Sequence, residues 1–461
     1  MISYFQYSKI AGLLLLCLIW MPLSLEAASG DVEKPETLSM EIPYGRLTLA
    51  QAQKMALKAS PKVAEMLARI EEAQAVSQQA RASLWPTVSV HAGHDWQDLS
   101  MRPDWSPEVR MEESLKHFST GVQINWLLFD GFSRRASILS AKAGEQANKD
   151  VADDVRRLLA ESVAGAYYQA QLAAEGMQIA KQNSLFNRNL EIDAEKRFKA
   201  GAIPQAEYMN FSVKSLRAEN NFLKARRYFS VVCIMMAKLL ALPEPQLAPE
   251  MYPAEGAPVE ALVELPQFED ELAYAMHHRP DLQALAANEE ALLQKKKSDE
   301  GRYYPKVYAH GSYSYDEYTN YGIIDQTEHG SAVGLKLDWD LFSGGERAAK
   351  VRATEAKLMQ LKRQREQKIL EIQSSLQEAL VRANASRAVY KRERYTLILV
   401  RRIRDHVERS YRAGATTLTR LNEAQTDLVS VSAAVATSRI NYLQQLESLR
   451  AASGRILEGM R

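Results

Sequence analysis

Two long stretches of the chain repeat small and apolar residues at intervals of three and four positions. In the stretch from about 133 to 199, which has no proline and little glycine, the recurring residues include Val151, Val155 and Leu158. That spacing is typical of an α-helix, and a helix of this length is about 100 Å long at ~1.5 Å per residue. The stretch from about 346 to 412 is equally uninterrupted. Because many of the recurring residues are alanine or serine, we expect the helices to pack closely, as in coiled coils.

Shorter helical segments flank each long one. In the first half of the chain they cover about 47–84 and 205–241. Between the long helix and the second of these segments, Gly201 and Pro204 predict a sharp helical hairpin, because glycine favours a left-handed helix end and proline favours a helix start. Gly414 occupies the corresponding place in the second half. We therefore expect two helical hairpins whose tips are marked by Gly201 and Gly414.

Four short segments have instead the two-residue period of a β-strand. The clearest are 118–128 and 333–341, and a weaker alternation precedes each of them, immediately after a proline. We expect two strands in each half, joined by polar loops at about 97–117 and 316–329. The apolar series on these strands is predicted to face lipid, and it comprises Val122, Ile124, Leu335 and Leu337.

Aromatic residues cluster at both ends of these strands. The cluster nearer the helices comprises Trp85, Trp126, Tyr303, Tyr304 and Trp339. The cluster at the far ends comprises Trp96, Tyr313, Tyr315 and Tyr318. Two aromatic belts around an apolar stretch of about ten residues are typical of a transmembrane β-strand. The alternation alone is also compatible with a half-buried sheet in a soluble domain.

The number of strands has a consequence for assembly. Four strands cannot close a barrel, and an open sheet edge is prohibitively costly in lipid. The chain is therefore expected to be a membrane protein of mixed α and β structure that completes its barrel by association. Two copies would give a narrow eight-stranded barrel filled by side chains, whereas three copies would give twelve strands and a lumen.

The chain also contains an internal duplication. The segment 126–134 returns at 339–347 with tryptophan, phenylalanine, glycine and arginine at the same places, an offset of 213 residues. Upstream, Trp85-Pro86 corresponds to Tyr304-Pro305 at an offset of 219 residues. A repeat of this length indicates two copies of one architectural unit rather than a solenoid. The predicted organisation is a signal peptide (1–27), an extended segment (28–46), a first repeat (47–242), a proline-rich linker (243–266), a second repeat (267–454) and a tail (455–461).

The first residues are typical of a secretory signal peptide. Lys9 is followed by the apolar run 10–18 and by a small-residue site that predicts cleavage after Ala27. A membrane anchor is the alternative, although the apolar run is short for one. Loss of Cys17 with the signal peptide leaves Cys233 without a partner for an intrachain disulfide. The net charge of +1 gives no indication of a nucleic-acid partner.

The order and spacing of these features resemble the TolC family of outer-membrane export channels. The resemblance covers nearly the whole mature chain, and it is carried by Leu47 to Pro61, Leu-Trp-Pro86, Trp-Leu-Leu-Phe-Asp-Gly131 and Tyr-Arg-Ala-Gly414. It implies a homotrimer in the outer membrane of a Gram-negative-type cell, with a twelve-stranded barrel continued by a twelve-helix periplasmic tunnel. It also implies a passive duct whose hairpin tips dock a periplasmic adaptor and an inner-membrane transporter, which supply the energy.

By position from the tip glycines, the resemblance further implies a periplasmic gate. Glu207 falls on an acidic link position, and Tyr411 falls on that of its tyrosine partner. Thr416 stands where an arginine is common, and Arg420 and Glu423 fall on two positions of an acidic ring at the aperture. Since only Glu423 is acidic, the charge of the ring is expected to be altered. Solvated helix surface is the alternative for these residues.

No constellation in the sequence indicates catalysis, a metal or a cofactor. His91 and His94 are three positions apart on a predicted strand, so they are expected on opposite faces. A basic run lies in the second long helix, and it comprises Lys391, Arg392, Arg394, Arg401, Arg402, Arg404, Arg409 and Arg412. A solvated face paired with acidic residues accounts for this run as well as a basic tunnel lining or an adaptor-docking stripe does.

Together with the resemblance to this family, the sequence patterns predict a passive exit duct of a tripartite export system. Its cargo is either small toxic molecules or secreted proteins, and both stay open because the same kind of duct serves both. The alternative outside this class is a periplasmic coiled-coil adaptor or scaffold protein. Such a protein also has long helical hairpins, but it lacks four strands with two aromatic belts.

Overall fold

A computed structural model describes residues 47–101, 111–253, 262, 264–320 and 326–459. The predicted signal peptide and the segment 28–46 lie outside these residues. Within them, the chain forms eight α-helices, one four-stranded sheet and two short 3-10 helices. No helix in this described part of the chain is long and apolar enough to cross a membrane.

The two halves of the chain contain the same elements in the same order. The first half has α1 (Leu49–Ala59), α2 (Pro61–Ala82), β1 (Thr87–Met101), β2 (Met111–Phe129), α3 (Ser133–Lys199) and α4 (Gln205–Leu239). The second half has α5 (Phe268–His278), α6 (Pro280–Gly301), β3 (Lys306–Asn320), β4 (Gln326–Asp338), α7 (Glu346–Arg412) and α8 (Leu418–Ser453). The matching helices have 11 and 11, 22 and 22, 67 and 67, and 35 and 36 residues, so the lengths also repeat.

The long helices α3 and α7 coincide with the two stretches expected from the spacing of small and apolar residues. α3 packs against α2, α4, α6 and α8, and α7 packs against α6 and α8. Half of the buried positions on α3 are alanine, among them Ala136, Ala147, Ala160 and Ala164. Small side chains at these contacts let neighbouring helices lie close together, as expected for coiled-coil packing.

The segment 47–84, expected as one helix, is two helices. Ser60 separates α1 from α2 and has an extended backbone, with φ −66° and ψ 122°. Proline disfavours helical backbone in the residue before it, so Pro61 sets this break locally. Arg279 and Pro280 produce the same break between α5 and α6.

The four strands form one antiparallel sheet in the order β1-β2-β3-β4, so β1 and β4 are its edges. The strands are longer than expected, because much of the predicted polar loops 97–117 and 316–329 belongs to them. Backbone pairing there continues beyond the apolar stretch, with polar residues such as Gln97 and Glu317 in the ladder. An alternation of apolar and polar residues cannot mark the end of a strand whose two faces are both polar.

The largest buried core lies near the middle of α3, where α1, α3, α4 and α8 meet. Its members include Leu47, Val163, Tyr167, Met236 and Ile440. The hydroxyl group of Tyr167 donates a hydrogen bond to the Leu47 carbonyl oxygen at 3.0 Å. Apolar burial and satisfied polar groups therefore join four helices at this level.

Parts of the predicted linker and tail also pack against the helices. Leu247 and Met251, from the described portion of the linker, are buried in the largest core. Ile456 and Leu457 of the tail are buried against α3 and α8. Arg455 Nε lies 3.0 Å from Glu271 Oε1, on α5. These segments thus contribute to the helical body as well as connecting or ending it.

Candidate functional site

The pairing register places all four residues predicted to face lipid on one face of the sheet. Val122 and Ile124 of β2 lie on the same face as Leu335 and Leu337 of β4. This face is strongly exposed in the single chain: 74% of Leu335, 63% of Leu337 and 94% of Val333 are accessible. A continuous apolar sheet face of this kind is suited to contact with lipid.

The opposite face of the sheet is polar. It carries Ser89, His91, Asp95, His117, Gln123, Asn125, His310, Asp316, Lys336 and Asp338. His117 Nε2 lies 3.1 Å from Asp316 Oδ1, and the His117 ring stacks on Tyr318 with centroids 4.4 Å apart. His94 is on the apolar face, so it cannot chelate an ion together with His91. The sheet thus has one apolar face and one polar face.

The aromatic residues nearer the helices lie where strands and helices join. Trp126 Nε1 donates a hydrogen bond at 2.9 Å to the carbonyl oxygen of the residue before Trp85. In the second half, Trp339 Nε1 donates at 3.1 Å to the carbonyl oxygen of Tyr303, the residue before Tyr304. Trp85 and Tyr304 are more than half exposed beside these bonds. The duplicated tryptophans therefore have duplicated structural roles.

The far aromatic cluster divides between the two faces of the sheet. Trp96, Tyr313 and Tyr315 share the apolar face, and Lys116 Nζ lies 4.7 Å from the centroid of the Trp96 ring. Tyr318 lies on the polar face, so its assignment to the same cluster was wrong for a lipid-facing belt. Tyr318 is three positions after Tyr315, and an odd spacing on a strand reverses the face.

An arginine holds each junction between a strand and a long helix. Arg134 Nη1 donates to the Ser83 carbonyl oxygen at 3.0 Å, and its backbone N–H donates to Asp130 Oδ2 at 2.8 Å. Arg347 Nη1 donates to the Arg302 carbonyl oxygen at 3.4 Å. Ser83 and Arg302 correspond at the offset of 219 residues. The recurrence of arginine at 134 and 347 was the sequence signal for these contacts, whereas nothing in the pattern singled out Asp130.

Two glycines bring the first of these junctions against the second half of the chain. A Cβ atom on Gly131 would overlap the Gly301 carbonyl oxygen, and one on Gly301 would lie 2.7 Å from the Gly131 carbonyl oxygen. Gly131 also has φ +65°, a left-handed conformation that glycine adopts without strain. The contact therefore requires glycine on both sides. The duplication marks Gly131, but no sequence signal marks Gly301.

The two predicted hairpin tips share one backbone geometry. Gly201 and Gly414 have φ +71° and +73°. The residue after each glycine donates its N–H to a carbonyl oxygen five positions earlier, at 2.8 Å in both tips. This is the Schellman arrangement of a helix end. A Cβ atom at either glycine would meet open space within the chain, so the left-handed backbone, not crowding, favours glycine here.

The four hairpin helices meet around Tyr411, close to the tips. Its ring packs with Leu190 of α3, Phe211 of α4 and Leu421 of α8. The guanidinium group of Arg197 lies 4.8 Å from the ring centroid. The Tyr411 hydroxyl oxygen is buried near Arg197, and it makes no hydrogen bond of good geometry with the described residues. Burial raises the pKa of Tyr411, and the positive charge of Arg197 acts in the opposite direction.

The other predicted gate residues lie at the two helix starts beside the tips. Glu207 is in the first turn of α4, where the helix dipole favours a negative charge. No hydrogen bond of the described chain joins Glu207 to Tyr411, so that link stays a prediction. Thr416 lies in the turn before α8. Arg420 Nη1 lies 3.0 Å from Glu423 Oε2, so this ion pair balances the one acidic charge of the predicted aperture ring.

Two arginines at the tip end of the basic run on α7 are paired with a carboxylate. Arg404 and Arg412 lie 2.8 and 2.6 Å from the carboxylate oxygens of Glu408. The exposed residues farther from the tip have no ion pair within the described chain, and they are Lys391, Arg392, Arg401 and Arg402. The solvated-face interpretation therefore fits the tip end, and a basic lining or docking stripe stays open for the remainder.

Comparison with known proteins gives one family and a consistent fold. The family model described as outer membrane efflux protein matches residues 52–229 and 272–455, one segment in each half. Protein CyaE of Bordetella pertussis is 23% identical over 385 residues, which are 83% of this chain and 79% of that protein. The Campylobacter jejuni CmeC outer membrane channel has a TM-score of 0.75 at 14% identity, covering 88% of this chain and 85% of that one. The Vibrio cholerae outer membrane protein VceC has a TM-score of 0.70 at 17% identity, covering 88% and 96%.

Proposed function

This chain belongs to the outer membrane efflux protein family, and we propose that three copies of it form one export duct. The family match confirms the resemblance noted from the sequence. The chain is a passive channel component of the outer membrane with a periplasmic extension, and it acts with an adaptor and an inner-membrane transporter. It is therefore not an enzyme, and an adaptor or scaffold function finds no support.

The observation that carries the proposal is the separation of apolar and polar residues between the two faces of the sheet. The exposed series through Val333, Leu335 and Leu337 suits lipid, and the face with His117 and Asp316 suits water. A closed barrel with this arrangement has an outer apolar band and an aqueous lumen. A polar lumen of this kind is compatible with small molecules and with unfolded secreted proteins.

The number of copies follows from the open sheet edges. β1 and β4 each leave one edge unpaired in the single chain, and an unpaired edge is not stable within lipid. Three chains of four strands make a twelve-stranded barrel, which is wide enough for a lumen. Below the barrel, α3 and α7 with their shorter neighbours would continue as a twelve-helix periplasmic tunnel.

We assign the periplasmic opening to the hairpin tips. Gly201 and Gly414 shape exposed turns at which an adaptor can dock. Tyr411 and Glu207 would link neighbouring helices and hold the tunnel closed, and Arg420 and Glu423 would set the charge at the aperture. The position of Tyr411 where the four hairpin helices meet supports this role.

Two measurements test this function. Mass determination of the detergent-purified protein should give three chains, and the same protein should form stable single channels in a planar bilayer. Extraction provides the control, because an integral channel requires detergent whereas a peripheral scaffold is released by salt or carbonate. A folded monomer or dimer, or a protein that leaves the membrane with carbonate, would contradict the proposal.

A further inference from the structure

We infer that His91 and His310 form a ring of imidazoles in the lumen of the proposed barrel, and that this ring favours the passage of anions as the pH falls. The inference rests on the proposed trimeric channel and deepens it, because it concerns which solutes the lumen favours. The two histidines are duplicated residues: they are 219 positions apart, the offset that relates β1 to β3. Three copies of the chain would therefore place six imidazoles at equivalent positions of the polar face.

Each of these imidazoles lies over a glycine of the following strand. His91 is paired across the sheet with Gly121, and His310 is paired in the same way with Gly334. The Cε1 atom of His91 lies 2.7 Å from the place where Gly121 would carry a Cβ atom, and the corresponding distance from His310 to Gly334 is 2.8 Å. Because glycine has no side chain, each ring can lie against the backbone of the sheet. The imidazoles thus line the wall of the lumen and leave its centre open.

Uncharged residues surround His91 within the chain. They are its neighbours on the polar face, Ser89 and Gly93 of β1 and Ser119, Gly121 and Gln123 of β2. On its other side β1 is an edge of the sheet, and in the proposed barrel it faces β4 of the next copy. Two charged residues of β4, Lys336 and Asp338, form an ion pair at 3.1 Å and balance each other. A charge on His91 would therefore act on the lumen.

His310 is in similar surroundings between β2 and β4. Its neighbours on the polar face include Tyr308, Ser312, Asn125, Gly334 and Lys336. Lys336 is the charged residue of this set, and its partner Asp338 balances it. The Nδ1 atom of His310 is buried and has no hydrogen-bond partner among the described residues. No carboxylate of the described sheet is therefore bound to this atom of the ring.

The other charges of the polar face are nearly balanced, so the histidines decide its sign. Within the described sheet this face has four carboxylates and two lysines, and they are Asp95, Asp316, Glu328, Asp338, Lys306 and Lys336. The face is net negative while its histidines are neutral. Imidazole gains a positive charge as the pH falls from about 8 to about 5. With His91, His310 and His117 charged, the face becomes net positive.

His117 contributes less to this change, because two carboxylates already hold it. Its Nε2 atom lies 3.1 Å from Asp316 Oδ1, and its Nδ1 atom lies 3.9 Å from Asp95 Oδ2. A positive charge on this ring is balanced within its own cluster, whereas a charge on the duplicated rings is not. Rings of charged side chains set the ion selectivity of a pore. His91 and His310 are therefore the residues that make the selectivity depend on pH.

Reversal potentials across a planar bilayer measure this selectivity. The full-length protein is placed in a gradient of potassium chloride at about 0.01 M, where charges act over about 30 Å. For the wild type, the ratio of chloride to potassium permeability should rise at least about threefold between pH 8 and pH 5. His91→Gln with His310→Gln should reduce this rise to less than about 1.5-fold, and each single variant should give an intermediate rise.

His94→Gln with His329→Gln is the matched control, because it removes two imidazoles from the apolar face of β1 and β4. This control should keep the wild-type rise. An unchanged rise in the double variant, a loss of the rise in the control, or a wild type whose ratio does not change with pH overturns the histidine ring and leaves the channel in place. A protein that forms no channels and is monomeric by mass overturns the proposed function as well.

Discussion

At the scale of single residues, close contacts and burial decide which positions tolerate change. The backbones of Gly131 and Gly301 are in close contact. On α8, the side chain of Glu447 is buried. Neither feature follows from the local sequence, because each depends on residues that lie far away along the chain. The contribution of each feature to stability can be tested by a single conservative substitution.

The first prediction concerns the glycine contact. Gly131→Ala should lower the free energy of unfolding by more than about 2 kcal/mol, because a left-handed backbone costs an L-residue about 1–2 kcal/mol and the new methyl group meets the Gly301 backbone. Thermal unfolding of the detergent-purified protein measures the effect. Gly144→Ala is the control, since a Cβ atom there meets no other atom and alanine favours a helix. Equal unfolding temperatures for the two variants would show that the junction can relax.

The second prediction concerns Glu447. Burial raises the pKa of Glu447 above its ordinary value of 4.5, and the nearby Arg450 only partly opposes this. Because the pKa is raised in the folded state, the contribution of protonated Glu447 to the free energy of unfolding is fully present below pH 4.5. That contribution is lost as pH rises through the folded pKa. Glu447→Gln should therefore raise the unfolding temperature at neutral pH, and the gain should vanish near pH 4.

The exposed Glu366→Gln is the matched control for this experiment, and it should leave the pH dependence of unfolding unchanged. If the difference between Glu447→Gln and the wild type is the same at pH 4 and pH 7, the titration of Glu447 is not its cause. The substitution would then act through packing or through the lost contact with Arg450.

At the scale of elements, the sequence was informative where one periodicity ran without interruption. The long helices were predicted at 133–199 and 346–412, and these are the bounds observed for α3 and α7. The strands were predicted too short, because the ladder continues where both faces are polar. The break at Ser60 was missed even though Pro61 follows it, because the helical spacing resumes at once. Local patterns cannot report that the linker residues Leu247 and Met251 join the core.

The candidate site was predictable to the same extent. The shared face of the residues predicted to meet lipid follows from strand parity, and the tips follow from glycine and proline. The surroundings of Tyr411 could not be predicted, because its neighbours come from four helices that are distant in sequence. The ion pair between Arg420 and Glu423 could be predicted without knowledge of the tertiary fold, because residues three apart on a helix are adjacent.

The prediction at this scale separates the two faces of β4. Leu335→Arg should destabilise the inserted barrel by about 2–4 kcal/mol if the residue lies near the middle of the membrane. Lys336→Leu, one position later, should be tolerated because it changes the polar face and removes only an exposed ion pair with Asp338. The amount of folded protein in outer-membrane fractions measures both effects. Equal yields of the two variants would contradict the assignment of the faces.

At the scale of the whole molecule, three copies of each tip would surround one aperture, so small local energies act together. Arg420 and Glu423 form an exposed pair at 3.0 Å in each copy, and the proposed ring is therefore nearly neutral. Such a ring should bind divalent cations less well than an acidic ring does. The pair also means that either residue can be altered to change the net charge in a chosen direction.

Channel block by a divalent cation tests this charge balance. Arg420→Gln should strengthen the block of single channels, because it leaves three uncompensated carboxylates at the aperture. Glu423→Gln should weaken it, because it leaves three uncompensated guanidinium groups. The measurement is the concentration of cation that halves the current in a planar bilayer. If neither substitution shifts that concentration, these residues do not line the aperture.

The last prediction concerns the closed state of the tunnel. Tyr411 is buried at the meeting point of the four hairpin helices, and its hydroxyl oxygen makes no hydrogen bond of good geometry with the described residues of its own chain. A hydrogen bond from this hydroxyl to Glu207 of a neighbouring helix would contribute about 1.5–3 kcal/mol, since one partner is charged. Three such bonds would favour closure cooperatively. A loss of about 4 kcal/mol in total would raise the open population about a thousandfold.

Tyr411→Phe combined with Glu207→Ala removes the bond but keeps the aromatic ring in its apolar surroundings. We expect this double variant to conduct far more than the wild type in bilayers and to sensitise cells to large antibiotics without any transporter. Tyr395→Phe with Glu219→Ala removes the same groups from exposed positions on the same two helices, and it should conduct like the wild type. If the gate variant also conducts like the wild type while folding and assembling normally, other contacts hold the constriction. Arg420 is then the first residue to alter, because it is placed at the proposed aperture and its guanidinium group already binds a carboxylate, that of Glu423.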